Sequence, residues 1–197
     1  MAITNGLNIT CDDLQASGGI RNILIRPWAA GDTITYANTT TAHAITSIVD
    51  TGGSTATWFN YEFKNEMPSL TVTAAKENGS TSFECALSFM MPEMDLAKAA
   101  NLQQLMDTCM MVIAVANNGR KYVLGVSQKY SNEKAEIRNQ SYASMSGAEG
   151  TSGAAYNDDN GWTVTMSCKQ WEAPRLYSGN LTLFTGTSAG AGTSTTD

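Results

Sequence analysis

The sequence predicts a mainly β protein, built from antiparallel strands with one helix. Three observations carry this: alternation of apolar and polar residues at period two, an Asn-Gly turn between two apolar runs, and a single stretch of helical periodicity. In Phe83 to Met91 the residues Phe83, Cys85, Leu87, Phe89 and Met91 share one face, and Glu84 and Ser88 share the other. In Trp58 to Lys64 the aromatics Phe59, Tyr61 and Phe63 line one face, and Leu70, Val72 and Ala74 alternate with threonines in the next run. Trp162, Val164, Met166 and Cys168 alternate with hydroxyl residues. Strands with one apolar and one polar face belong to antiparallel sheets with one side packed.

Two runs read differently. Ile23-Leu24-Ile25 and Met110 to Ala116 are almost continuously apolar, which predicts strands covered on both faces. The second run leads through Asn117-Asn118-Gly119-Arg120 into Lys121-Tyr122-Val123-Leu124-Gly125. Asn-Gly in this setting predicts a hairpin with a type I′ turn, which needs positive φ at both central residues. The helix is predicted from Pro92-Glu93-Met94-Asp95, through Leu96, to about Thr108. Leu102, Leu105, Met106 and Cys109 form its apolar stripe, and Glu93 and Asp95 suit its positive N-terminal end. A short helical turn is predicted near residues 12–18.

Residues 29–57 are rich in Thr, Ala and Gly around a short Ile45 to Val49 strand, and residues 139–161 are rich in Ser, Gly, Ala and Asn. Both read as loops or arms. Residues 186–197 have the composition of a disordered tail. The division expected is one β-rich domain over residues 1–185, with an arm at about 29–56, and a tail at 186–197. At 197 residues the chain suits a single domain able to bury a sizeable core.

Composition narrows the chemistry. Lys plus Arg is 12 and Asp plus Glu is 18, a formal charge of −6. Such a chain is a poor grip for a phosphate backbone or an anionic membrane. Charged residues are only 15%, while there are 24 Thr and 17 Ser, a surface suited to lying against other protein. No apolar stretch is long enough to span a membrane, and the first residues lack the basic run and apolar core of a signal peptide.

The one histidine, His43, excludes a His–His metal pair and lies outside any Gly-x-Ser-x-Gly elbow, so it reads as a surface or interface residue. The cysteines stand at 11, 85, 109 and 168, spacings of 74, 24 and 59 that exclude a CxxC zinc site and leave four reduced, buried thiols as the preferred reading over two disulfides. Asp12-Asp13 and Asp158-Asp159 are paired acids, but Asp159-Asn160-Gly161 fails the calcium-loop pattern and reads as a turn. Glu62, Glu66, Glu77 and Glu84 fall on or near neighbouring strands, where two carboxyls could approach for glycoside hydrolysis; solvated acids on a polar strand face are the better reading. Sequons at Asn8, Asn38, Asn78, Asn139 and Asn180 follow from a composition rich in Asn, Ser and Thr. Met90, Met91, Met94, Met106, Met110 and Met111 cluster around the helix, as core filler or as an adaptable subunit interface. No catalytic, cofactor-binding or metal-binding residues are assigned.

The order of these elements resembles the tail tube and related tail structural proteins of bacteriophages. The likeness runs from Asn5-Gly6-Leu7-Asn8-Ile9-Thr10-Cys11 through Gly18-Gly19-Ile20, the Thr/Gly segment, the strand from Trp58, Ser69-Leu70-Thr71, the long strand to Met91, the helix, and the hairpin around Asn117-Asn118-Gly119 to the last strand, about residues 5–175. The resemblance implies an antiparallel β-sandwich or half-barrel with one flanking helix and an extended arm. It implies rings, usually hexameric, stacked into a tube that delivers DNA as passing cargo, located in the virion tail and assembled in the host cytoplasm. Its partners would be copies of itself and other tail proteins, with no cofactor, small-molecule substrate or catalytic residue. Residues 57–75 and 81–91 are expected to contribute to a sheet shared between subunits, and 29–56 to the arm. Head–tail adaptor and decoration proteins are alternatives in the same class. A sugar-binding β-sandwich using Trp28, Trp58 and Trp171 is an alternative of another class, and a carboxylate hydrolase is a third.

Overall fold

A computed structural model describes residues 18–29, 31–37, 43–63, 68–128, 141–155 and 157–184. The N-terminal turn expected near 12–18, with Asp12 and Asp13, Glu66, the sequons at Asn8, Asn38 and Asn139, Cys11 and the tail 186–197 lie outside them, apart from Gly18. The described chain is mainly β with one helix. In order it forms β1 (Ile20–Pro27), β2 (Thr33–Tyr36), β3 (Ala44–Val49), β4 (Thr57–Glu62), β5 (Ser69–Glu77), β6 (Ser80–Pro92), α1 (Leu96–Met106), β7 (Met110–Ala116), β8 (Lys121–Leu124), β9 (Ser144–Thr151), β10 (Gly161–Gln170), β11 (Arg175–Tyr177) and β12 (Thr182–Leu183).

The strands form two sheets. One is eight-stranded, ordered β12-β4-β1-β7-β8-β11-β3-β2, and the other is four-stranded, ordered β5-β6-β10-β9. The small sheet is antiparallel throughout. The large one is antiparallel except where β11 joins β3 and β12 joins β4 in parallel.

Two cores explain the shape. Ile23 and Ile25 of β1 and Val112 and Ala114 of β7 face Cys85, Leu87 and Phe89 of β6 and Val164 and Met166 of β10, closing the sandwich. Leu24, Met111 and Ile113 point the other way, into a second core with Ile34, Ile45, Ile48 and Trp58. The large sheet therefore curls around its own concave side as a half-barrel. β1 and β7 are buried on both faces, as their continuous apolar runs require.

Several expectations are corrected. Within the segment expected as an arm, the expected strand is β3, and β2, read from sequence as loop, pairs with it; the two dock on the second core through Ile34, Tyr36, Ile45 and Ile48. β4 lies in the large sheet, apart from β5 and β6, because it pairs with β1. The Ser/Gly-rich stretch expected as a loop contains β9, held by β10. Pro92 ends β6, and the helix begins only after Asp95, whose carboxylate accepts from the Lys98 backbone N–H at 2.7 Å. Leu102 and Leu105 are the buried stripe of α1, whereas Met106 is 56% exposed and Cys109 is exposed beyond the helix end.

The turn at 117–119 is a hairpin of another kind. Gly119 has φ of 80°, but neither Asn117 nor Asn118 is among the residues of positive φ. Gly119 N–H donates to the Ala116 carbonyl and Ala116 N–H to that of Arg120, which is a type I turn closed by a glycine bulge. The type I′ turn occurs instead at Asn78 (φ 48°) and Gly79 (φ 82°), between β5 and β6.

Candidate functional site

The β5–β6 hairpin defines which backbone groups remain open. A two-residue type I′ turn makes Glu77 and Ser80 a pair that exchanges both ladder hydrogen bonds. Stepping back in twos, Ala75, Thr73 and Thr71 also bond inward to β6. Val72, Ala74 and Lys76 turn their N–H and C=O groups to the outer edge. Among the described residues no backbone bond reaches those three; the edge is met only at its start, where the Ile20 N–H donates to the Pro68 carbonyl. On the far side of the sheet, β10 is the ladder partner of β9, and β9 is again an edge. Among the described residues the small sheet thus has two open edges and an even number of alternating strands.

Its two faces differ sharply. One packs on the sandwich core through Leu70, Cys85, Leu87, Phe89, Val164 and Met166. Register places Thr71, Ala86, Ser167 and Ser144 in one row of the other face, and Ser69, Ser88, Thr165 and Gly147 in the next. The charged side chains of this face are Glu77, Glu84, Glu149 and Lys169, three acids against one base, with Lys169 directly opposite Glu84. The surface is small, hydroxyl-rich and short of cations.

The other residues singled out by sequence are dispersed. Glu62 is in the large sheet, and Glu77 and Glu84 stand at positions four residues apart along β5, about 13 Å at ~3.3 Å per residue. Asp158 holds a turn, its carboxylate accepting from the N–H groups of Ala154 and Ala155 at 2.8 and 2.7 Å. Those two bonds hold its carboxyl below the ordinary aspartate value. His43 Nε2 donates to the Ala173 carbonyl at 2.7 Å. Trp58 is wholly buried in the second core, and Trp28 is partly buried against it. Among the described residues no three His, Cys, Asp or Glu side chains gather as a metal site. No described helix is long and apolar enough to cross a membrane.

The methionines divide. Met91, Met110 and Met111 are core residues, while Met94 and Met106 are exposed, as is Leu96 at 89%. A second exposed apolar pair, Phe59 and Phe184, packs with tilted rings 5.0 Å apart on the β4–β12 edge of the large sheet.

Two buried ion pairs escaped sequence reading, because each is local in sequence but is buried only by the strands that fold over it. Arg26 meets Asp32 at 2.8 Å with Asp32 fully buried. Burial raises the Asp32 pKa, an effect that Arg26 opposes without cancelling. Arg175 donates to both carboxylate oxygens of Glu172, at 3.1 and 3.0 Å, and to Gln128 Oε1 at 2.7 Å, with its guanidinium over the Tyr36 ring. These are brackets between strands, not a pocket.

No protein-family model matches this chain, and no curated protein or solved structure matches it.

Proposed function

We propose that this protein is a structural subunit of a bacteriophage tail tube, whose copies form rings that stack into a conduit for DNA. The observation that carries this reading is the four-stranded sheet, with both edges open and one flat, hydroxyl-rich, cation-poor face. Open edges invite pairing with another chain, and closing a barrel removes them. The strand count permits closure: β5 and β9 run in opposite directions, so β9 of one copy beside β5 of the next continues the antiparallel alternation. Such head-to-tail contacts generate rings.

Magnitudes favour a wide ring. Six copies of four strands give 6 × 4 = 24 strands; at ~4.8 Å spacing the circumference is at least about 115 Å and the backbone diameter about 37 Å. Subtracting side chains on both walls still leaves room for a duplex. The lining would carry the hydroxyl face, which offers DNA few of the cations that would hold it back. The exposed Met94, Leu96 and Met106, and the Phe59–Phe184 pair, supply apolar surface for contacts between neighbours. In this role the protein performs no catalysis.

Electron microscopy of the purified chain, with its mass in solution, tests the reading. Rings or tubes are expected from the native sequence. Ala74→Pro, which removes an outward N–H from β5, should leave folded monomers. A native chain that stays monomeric at high concentration, or an Ala74→Pro variant that still makes rings, contradicts it.

A further inference from the structure

A facing pair of cysteines lies buried beneath the hydroxyl face. Cys85 of β6 and Cys168 of β10 are direct ladder partners. Both are reduced, and they are 1% and 5% exposed, within the core between the sheets. Their side chains share the core face of the sheet, and the Cys168 S–H reaches Gln170 Oε1 at 3.9 Å. At the end of the same ladder the Glu93 N–H donates to the Asn160 carbonyl. Counting in twos from that pair makes Cys85 and Cys168 a pair that exchanges both backbone hydrogen bonds. Such partners have Cα atoms about 5.5 Å apart, inside the disulfide range of about 4.4–6.8 Å. Their Cβ atoms stand about 5 Å apart against the ~3.8 Å a disulfide needs, so closure draws the strands together by about 1 Å.

We propose that Cys85 and Cys168 are a latent, reversible cross-strand disulfide, a modification site that peroxide-class oxidants close and thiols reopen. One thiolate attacks hydrogen peroxide; its S–O bond forms, the O–O bond breaks, and water leaves. The facing sulfur then attacks the sulfenic acid; the S–S bond forms, the S–O bond breaks, and a second water leaves. The two sulfurs give up two electrons, the peroxide takes them, and the two thiol protons end in the two waters. Closure joins the two central strands of the small sheet without changing a residue on its hydroxyl face.

The surroundings set the rate and the lability. The interaction between the two thiols, with burial, pushes Cys85 up and holds Cys168 below its ordinary value, and both sulfurs are sealed from solvent. Reaction in the folded protein is therefore slow and paced by local opening. The strain of drawing the strands together makes the bridge easy to reduce. None of this depends on ring formation.

The full chain is treated with hydrogen peroxide in mild denaturant that preserves the fold, alkylated after unfolding, and mapped without reduction. The expected product joins the Cys85 and Cys168 peptides with loss of two hydrogens, is reversed by dithiothreitol, and persists in Cys109→Ser. In Cys168→Ser, Cys85 should instead accumulate a sulfenic acid that dimedone traps. The proposal is overturned if both sulfurs end as sulfinic acids, if either pairs with Cys109 or another chain, or if both remain alkylatable. Should Cys168→Ser fail to fold, the native map and its Cys109→Ser counterpart decide the matter alone.

Discussion

Arg175 ties together three parts of the fold. Its guanidinium binds Glu172 and Gln128 and covers Tyr36, joining β11 to the loop after β8 and to β2. Arg175→Met should cost about 3 kcal/mol in chemical denaturation, because it leaves the largely buried Glu172 carboxylate without its cation. Burial alone would raise the Glu172 pKa, but the bonds from Arg175 and the Gln128 N–H outweigh it and leave the group below its ordinary 4.5. The folded state thus binds fewer protons, so this stabilisation is complete above pH 4.5 and is lost as pH falls through the depressed folded value. A Glu172→Gln variant should show a shallower loss of stability across that acid window, measured by denaturant midpoint against pH. Asp32 has the opposite sign: its raised folded pKa means stability from this group grows as pH falls through it.

At the scale of elements, the two Asn-Gly turns separate sequence from conformation. Asn78 occupies the left-handed region at φ 48°, whereas Asn118 does not. Asn78→Ala should therefore cost about 1 kcal/mol. Asn118→Ala loses only the exposed bond from the Arg120 N–H to its side chain, a few tenths of a kcal/mol. Comparable losses at both sites would contradict the turn assignments. Much of β6, β7 and β10 was legible, because each buries one or both faces and so writes its burial into the residue alternation. β9 was not, since Ser-Met-Ser-Gly-Ala-Glu-Gly-Thr buries almost nothing and is held by backbone pairing with β10. Gly150 carries the one local clue: a Cβ there would meet the Trp162 ring at 2.7 Å, so the glycine admits an aromatic ring across the ladder. The helix lost its predicted stripe beyond Leu105 because Asp107 caps it and the chain turns away to enter β7.

For the whole molecule, the partition of strands into sheets was the least legible feature. β4 and β5 are neighbours in sequence, yet β4 is recruited by β1 and β5 by β6. Both segments alternate, so nothing local distinguishes their destinations. The second core was equally hidden: Ile45 and Ile48 fall in the short strand expected there, but Ile34 lies in a Thr-rich run whose composition reads as loop, and nothing local joins the two. The hydroxyl face was legible residue by residue, and its meaning came from the two open edges. If it lines a conduit, adding cations should leave assembly intact and create retention of DNA. Ser88→Lys with Thr165→Lys should still form rings and should bind duplex DNA weakly, with affinity falling steeply as salt rises. Failure to assemble would place this face in a contact rather than a lumen.

The claim that neighbouring copies complete the small sheet is tested most directly by amide hydrogen exchange, comparing dilute chain with concentrated, assembled chain. The account predicts that the outward amides of Val72, Ala74 and Lys76 exchange freely when dilute and become protected on assembly, together with amides of β9. Assembly that leaves those amides exchanging freely would contradict it.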